Sequence, residues 1–103
     1  MTLYYEVHVT VAPDFDRIEQ AKEIAKAQGF HMGDLLLMKR DDERSHKDMF
    51  FTFRTKIYRE AISQTRKIVD ALNAAGFNVL RYKIEDTLLD SKIKDRMMLL
   101  ERP

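Results

Sequence analysis

Three side chains able to do polar chemistry alternate along one short stretch, Tyr4-Tyr5-Glu6-Val7-His8-Val9-Thr10-Val11. Strand side chains repeat with a period of two, so Glu6, His8 and Thr10 fall on one face and Tyr5, Val7, Val9 and Val11 on the other. The polar row sets a carboxylate, an imidazole and a hydroxyl side by side. Imidazole changes charge near neutrality, which makes His8 the candidate for moving a proton at a reacting oxygen. Glu6 is placed to orient that ring, and Thr10 to donate a hydroxyl hydrogen bond.

The elements that must position this row follow from the pattern of the 103-residue chain. The length fits one domain with one two-layer core. A hydrophobic share of 45% and a charged share of 34% describe a folded chain rather than a disordered one. The chain has no cysteine, which excludes disulfides, thiolate metal sites and cysteine nucleophiles and fits a reducing cytoplasm. Met1-Thr2-Leu3 lacks the basic and apolar regions of a signal peptide, and no apolar run approaches the roughly 20 residues of a membrane span. A cytoplasmic protein without a membrane partner is the expectation. The net charge of +1 gives no global basic field for nucleic acid.

The first strand ends at Ala12-Pro13; Asp14 or Asp16 can then cap a helix, and Asp16 with Glu19 resembles a capping box. Ile18, Ala21, Ile24, Ala25 and Gln28 then recur at helical spacing, and Gly29 supplies a left-handed stop. Leu35 to Met38 reads as a second strand and Lys39 to Lys47 as a charged hairpin loop. Asp48 to Thr55 predicts a third strand, with Met49, Phe51 and Phe53 inward and Asp48, Phe50, Thr52 and Arg54 outward. A second helix spans about Ile57 to Ala75, capped by Thr55 and stopped by Gly76, with Ala61, Ile62, Thr65, Ile68, Val69 and Leu72 buried. The fourth strand, Phe77 to Glu85, sends Leu80, Tyr82 and Ile84 inward and Val79, Arg81, Lys83 and Glu85 outward. Ala-Lys-Ala-Gln-Gly-Phe closes the first helix and Leu-Asn-Ala-Ala-Gly-Phe the second, so the two halves echo each other.

The order β-α-β-β-α-β resembles the ferredoxin-like fold: an α+β two-layer sandwich, a four-stranded antiparallel sheet with both helices on one face. The reading assigns residues 1–87 to that domain and 88–103 to a C-terminal amphipathic tail, with Leu89, Ile93, Met97 and Leu100 spaced as the stripe of a short helix. The fold implies the strand order 4-1-3-2. The uncovered face then gathers Glu6, His8, Thr10, Asp48, Thr52, Arg54, Arg81, Lys83 and Glu85. Arg54, Arg81 and Lys83 offer an anion clamp, Thr10 and Thr52 hydroxyl donors, and Glu6, Glu85 and Asp48 orient the cations and the imidazole. A phosphate-bearing small molecule or an RNA end is the expected partner, and no cofactor is called for. Glu6, His8, Asp48 and Glu85 could converge on a divalent ion, but the cations beside them argue against one, so no metal is expected. His31 and His46 fall in turn or loop positions.

His8-Val9-Thr10-Val11 is similar to the His-hydrophobic-Thr/Ser-hydrophobic signature of the 2H phosphoesterases. That resemblance implies two such motifs facing each other, with paired histidines as acid and base on an RNA-type phosphodiester. The comparable third-strand position is Phe50, so a second histidine would come from a homodimer partner. Lys47 to Arg54 loosely resembles the third-strand motif of RNA-recognition modules, which display aromatics on the open face. Here Met49 and Phe51 occupy those display positions, and the alternation sends them inward. A third reading is a non-enzymatic homodimer, joined by a sheet edge or by the tail, with a solvated charged face.

Overall fold

The computed structural model describes residues 2–33 and 48–88. In chain order it forms β1 (Thr2–Val11), a 3-10 turn (Phe15–Arg17), α1 (Ile18–Ala27), β2 (His31–Met32), β3 (Met49–Thr55), α2 (Tyr58–Ala74) and β4 (Val79–Leu88). The strands make one antiparallel sheet in the order β2-β3-β1-β4. This is the α+β arrangement expected from the element order. Leu35–Met38, the charged stretch to Lys47 and the stripe beyond Leu88 lie outside the described residues; the second strand of the described residues is His31–Met32.

One core holds the sheet to the helices. Val7, Val9 and Val11 of β1 and Met49 and Phe51 of β3 are fully buried. They pack in one cluster with Ala21 and Ala25 of α1 and Ala61, Ile68 and Leu72 of α2. Both helices therefore cover the same face. The alanines leave room for the large side chains of the sheet, and the densely packed interior makes each of those side chains costly to truncate. Ile62 and Val69 are partly buried at the margin of this layer. Phe53, expected in the core, is only half-buried: it lies toward β2 and stacks on Phe30, with ring centroids 5.2 Å apart.

The echoing helix ends fold alike. Phe30 N–H donates to Ala25 O at 2.8 Å and Phe77 N–H to Leu72 O at 2.9 Å, while Gly29 and Gly76 take positive φ of 81° and 86°. This is the six-to-one closure that a left-handed glycine permits, and it delivers both phenylalanines into the core. Arg17 joins the two halves. Its Nε donates to Asp14 Oδ2 at 3.0 Å, its Nη1 to Ala75 O at 2.6 Å, and its guanidinium lies 4.0 Å from the Phe77 ring centroid.

Three local expectations are corrected. No side-chain cap forms at the start of α1, so Asp16 and Glu19 do not make a capping box. The helix is instead entered through the 3-10 turn, with the Asp14 carboxylate engaged by Arg17. Ile57, not Thr55, is the N-terminal boundary residue of α2; Thr55 Oγ1 accepts from Ile57 N–H at 3.1 Å and shapes the turn before it. In β4 the inward phase fails at Leu80. Val79 pairs with Val11 and Arg81 with Thr10, so Leu80 is an extra residue in the ladder. Such a bulge shifts the alternation by one. Val79 therefore packs on the core, and Leu80 is left 48% exposed. Tyr82 pairs with Val9 on the helix side but stays 56% exposed, because β4 is an edge strand. Among the described residues no helix is long and apolar enough to cross a membrane.

Candidate functional site

The ladder registers lay the open face out as rows. Glu6 stands between Glu85 on β4 and Arg54 on β3. His8 stands between Lys83 and Thr52, and Thr52 is in turn paired with His31 on β2. Thr10 stands between Arg81 and Phe50. Directly paired side chains share a face, so each row is a set of lateral neighbours.

The first two rows are wired together. Arg54 Nε donates to Glu6 Oε2 at 2.7 Å, and the guanidinium lies 4.8 Å from the Tyr4 ring centroid. The other Glu6 oxygen, Oε1, is 3.3 Å from His8 Nε2, and Glu85 Oε1 is 2.8 Å from the same nitrogen. Lys83 Nζ is 3.6 Å from Glu85 Oε1. The hydrogen bond from Arg54 to Glu6, then the carboxylate's charge, holds the arginine pKa above its ordinary value, so this cation stays charged. His8 Nε2 is itself inaccessible and accepts or donates no aligned hydrogen bond, despite the short distance to Glu85. The Glu85 oxygen is near the nitrogen but off the ring N–H direction. A hydrogen bond weakens steeply below about 120°, so the proximity alone does not make one.

The expected site residues divide. Glu6, His8, Arg54, Lys83 and Glu85 come together in this network, with Thr52 beside His8. Arg81 is exposed one row away. Thr10 is on the open face as expected, yet it is only 3% exposed, set between Phe50 and Arg81. Asp48 does not join the others. It is buried just before β3, six residues from Arg54 and about 20 Å along an extended strand.

His31 was missed. It is exposed in β2, opposite Thr52, and not in a turn. With Gly29, Thr52, Phe53 and Arg54 it lines an open groove of about 470 Å³. The signal in the sequence was brief: Phe30-His31-Met32 alternates apolar, polar, apolar directly after the Gly29 stop. A second open groove of about 340 Å³ adjoins it, lined by Lys22, Lys26, Gly29, Phe30, His31 and Met32. His31 thus stands between a groove that holds Thr52 and Arg54 and one that holds two lysines. Met49 and Phe51, the display positions of the RNA-recognition resemblance, are fully buried under the helices, while Phe50 is half-buried beside Thr10 on the open face. No family model matches the chain, and no curated protein matches it.

Proposed function

We propose that the protein binds a phosphate-bearing ligand, a nucleotide, phosphoester or RNA end, on its open sheet face. The observation that carries this reading is the groove in which His31, Thr52 and Arg54 converge. A guanidinium supplies paired donors to phosphate oxygens, a hydroxyl a third, and an imidazole a donor that can also carry a proton. Lys22 and Lys26 in the adjoining groove extend the positive lining on one side. Lys83 and Arg81 extend it across β4. The Arg54 side chain is 65% exposed, so it can keep Glu6 and still present its remaining N–H groups.

The row His8–Thr52–His31 also supports a catalytic form of this reading, phosphodiester cleavage. The two imidazoles flank Thr52 from strands two apart, about 10 Å between backbones. One would take a proton from the attacking hydroxyl and the other return one to the leaving oxygen. That arrangement would meet within one chain the need for a second histidine that the phosphoesterase resemblance implies.

The test is a thermal-shift series with nucleotides, phosphosugars and short RNAs, followed by titration of the best ligand into Arg54→Ala and His31→Ala. A ligand at 100 times its Kd stabilises by about 2.7 kcal/mol, which a melting curve resolves. Each substitution should weaken binding about tenfold or more while the protein stays folded. No shift with any compound, or binding that both variants retain, would sink the proposal.

A second reading, the non-enzymatic homodimer, is favoured by β4. This edge strand is ten residues long, and no described strand pairs with its outer side. Such an edge is a template for pairing with another chain, and Leu80 and Tyr82 add exposed apolar surface beside it. Light scattering of the wild type and of Tyr82→Lys separates the readings: a dimer that the lysine disrupts would support edge pairing, and a concentration-independent monomer would remove it.

A further inference from the structure

We infer that Glu6, His8 and Glu85 form a binding site for a borderline divalent metal ion such as Zn2+. The ligand atoms of these three residues lie within 4.8 Å of one another. Two separations are close to those of a coordination shell: His8 Nε2 is 3.3 Å from Glu6 Oε1, and 2.8 Å from Glu85 Oε1, slightly short of the distance an ion would set. Donors each about 2.1 Å from one ion stand roughly 3.0–3.4 Å apart at neighbouring positions of an octahedron or tetrahedron. The third separation closes with a small rotation of Glu85, whose side chain is half exposed.

Three further features set this cluster apart from a surface ion-pair network. Glu6 and Glu85 are direct cross-strand partners on one face of the sheet. Like charges directly opposite each other destabilise a ladder, and although Arg54 and Lys83 offset the pair from its outer sides, a cation bound by both carboxylates would relieve it directly. His8 Nε2 is enclosed between the two carboxylates, yet no aligned hydrogen bond reaches it. An imidazolium held by carboxylates would aim its N–H at one of them, whereas a nitrogen shared between two oxygens suits a common metal. Finally, Arg54 holds the opposite oxygen of Glu6, Oε2, at 2.7 Å. This outer hydrogen bond fixes the carboxylate so that Oε1 faces the histidine, as supporting residues do around metal ligands.

One nitrogen and two carboxylate oxygens match zinc and its neighbours better than magnesium, which prefers oxygen and water. Three protein ligands leave at least one position open to water or to a ligand. The cation that opposes the site is Lys83, 3.6 Å from Glu85 Oε1. Its side chain is 64% exposed and can swing into water when the ion enters. The inference does not rest on phosphate binding, although the open position would face the same sheet surface.

Calorimetric titration of the full chain with Zn2+ alone, in buffer free of phosphate and chelator, tests it. One equivalent should bind. His8→Ala and Glu85→Gln should each weaken that binding about tenfold or more, since each removes a ligand. Lys83→Met should strengthen it by removing the competing charge, and His31→Ala should leave it unchanged. Circular dichroism of each variant checks that the fold is kept. Absence of saturable heat at millimolar Zn2+ would overturn the inference. So would binding that folded His8→Ala and Glu85→Gln both retain, or binding abolished by His31→Ala. Failure here with phosphate ligands still bound would leave the groove at His31 and Arg54 intact as a separate site.

Discussion

The two faces of β1 are built from alternate residues of one ten-residue strand, and they behave differently. On the helix side Val7, Val9 and Val11 are uniformly buried. On the open side the side chains are graded: Glu6 is 19% exposed, His8 31%, and Thr10 as a residue only 3%. Among the described residues no helix covers this second face. Its burial comes from lateral neighbours in the sheet, a phenylalanine and an arginine around Thr10, and carboxylates around His8. One face carries the cohesion of the fold, and the other is free to set its chemistry residue by residue.

The largest effect should come from the helix side. Phe51→Ala removes a fully buried ring between the sheet and both helices and should cost about 3–5 kcal/mol in urea unfolding. Ligand and metal binding by whatever fraction remains folded should be unchanged, because no open-face side chain is touched. A cost no greater than that of a surface change would break the assignment of faces. A smaller loss, about 1–2 kcal/mol, is expected for Gly76→Ala. The φ of 86° there is left-handed backbone that a Cβ disfavours; the added carbon would make only an ordinary contact with Arg17 Nη2 at 3.5 Å, so the cost is that of the backbone. That change weakens the joint between the halves without entering either face.

Opposite in kind is Arg54→Ala. The side chain is exposed, so the melting temperature should move little, while affinity for the phosphate ligand should fall about tenfold or more. The same variant sharpens the contrast within the open face. Glu6 loses the hydrogen bond that orients it, and Zn2+ affinity should drop as well, by less than in His8→Ala.

How far these faces were legible in the chain differs by element. The alternation in β1 and β3 placed Val7, Val9, Met49 and Phe51 inward correctly, because a period of two is unambiguous where half a strand is buried. Both glycine stops were legible for the same kind of reason, a local backbone demand that few residues meet. The bulge at Leu80 was not. It is a property of the pairing between two strands 68 residues apart, and nothing in Asn78-Val79-Leu80-Arg81 announces it. His31 was hidden because Phe30-His31-Met32 is too short an alternation, just after a helix stop, to establish a period. Asp48 was drawn into the site by sharing a strand with Arg54, although residues on one face of a strand can stand far apart along it. The convergence of Glu6, His8 and Glu85 depends on rotamers, so sequence could set them on one face but not in contact.

The smallest expected effect is the sharpest test of the comparison. His8 is central in the sheet, in the row from Lys83 to His31, and by position alone it would rank with Val9. Its side chain is nonetheless on the face that α1 and α2 leave uncovered, and it takes no part in the core they build, so truncation opens no cavity there. His8→Ala does leave Glu6 and Glu85 facing each other across the ladder. Arg54 still holds Glu6 and Lys83 still lies by Glu85, so the added repulsion is largely balanced. In the presence of a chelator the net cost should stay within about 1 kcal/mol, as for most surface changes. Val9→Ala, one residue away on the buried face, should cost about 2 kcal/mol. Urea unfolding of the two variants side by side measures the difference between the faces directly. Equal losses would mean that the outer row is structural, held by its charge network. A small loss in His8→Ala, together with abolished Zn2+ binding, would identify the outer row as a site carried by the strand and not needed to fold it.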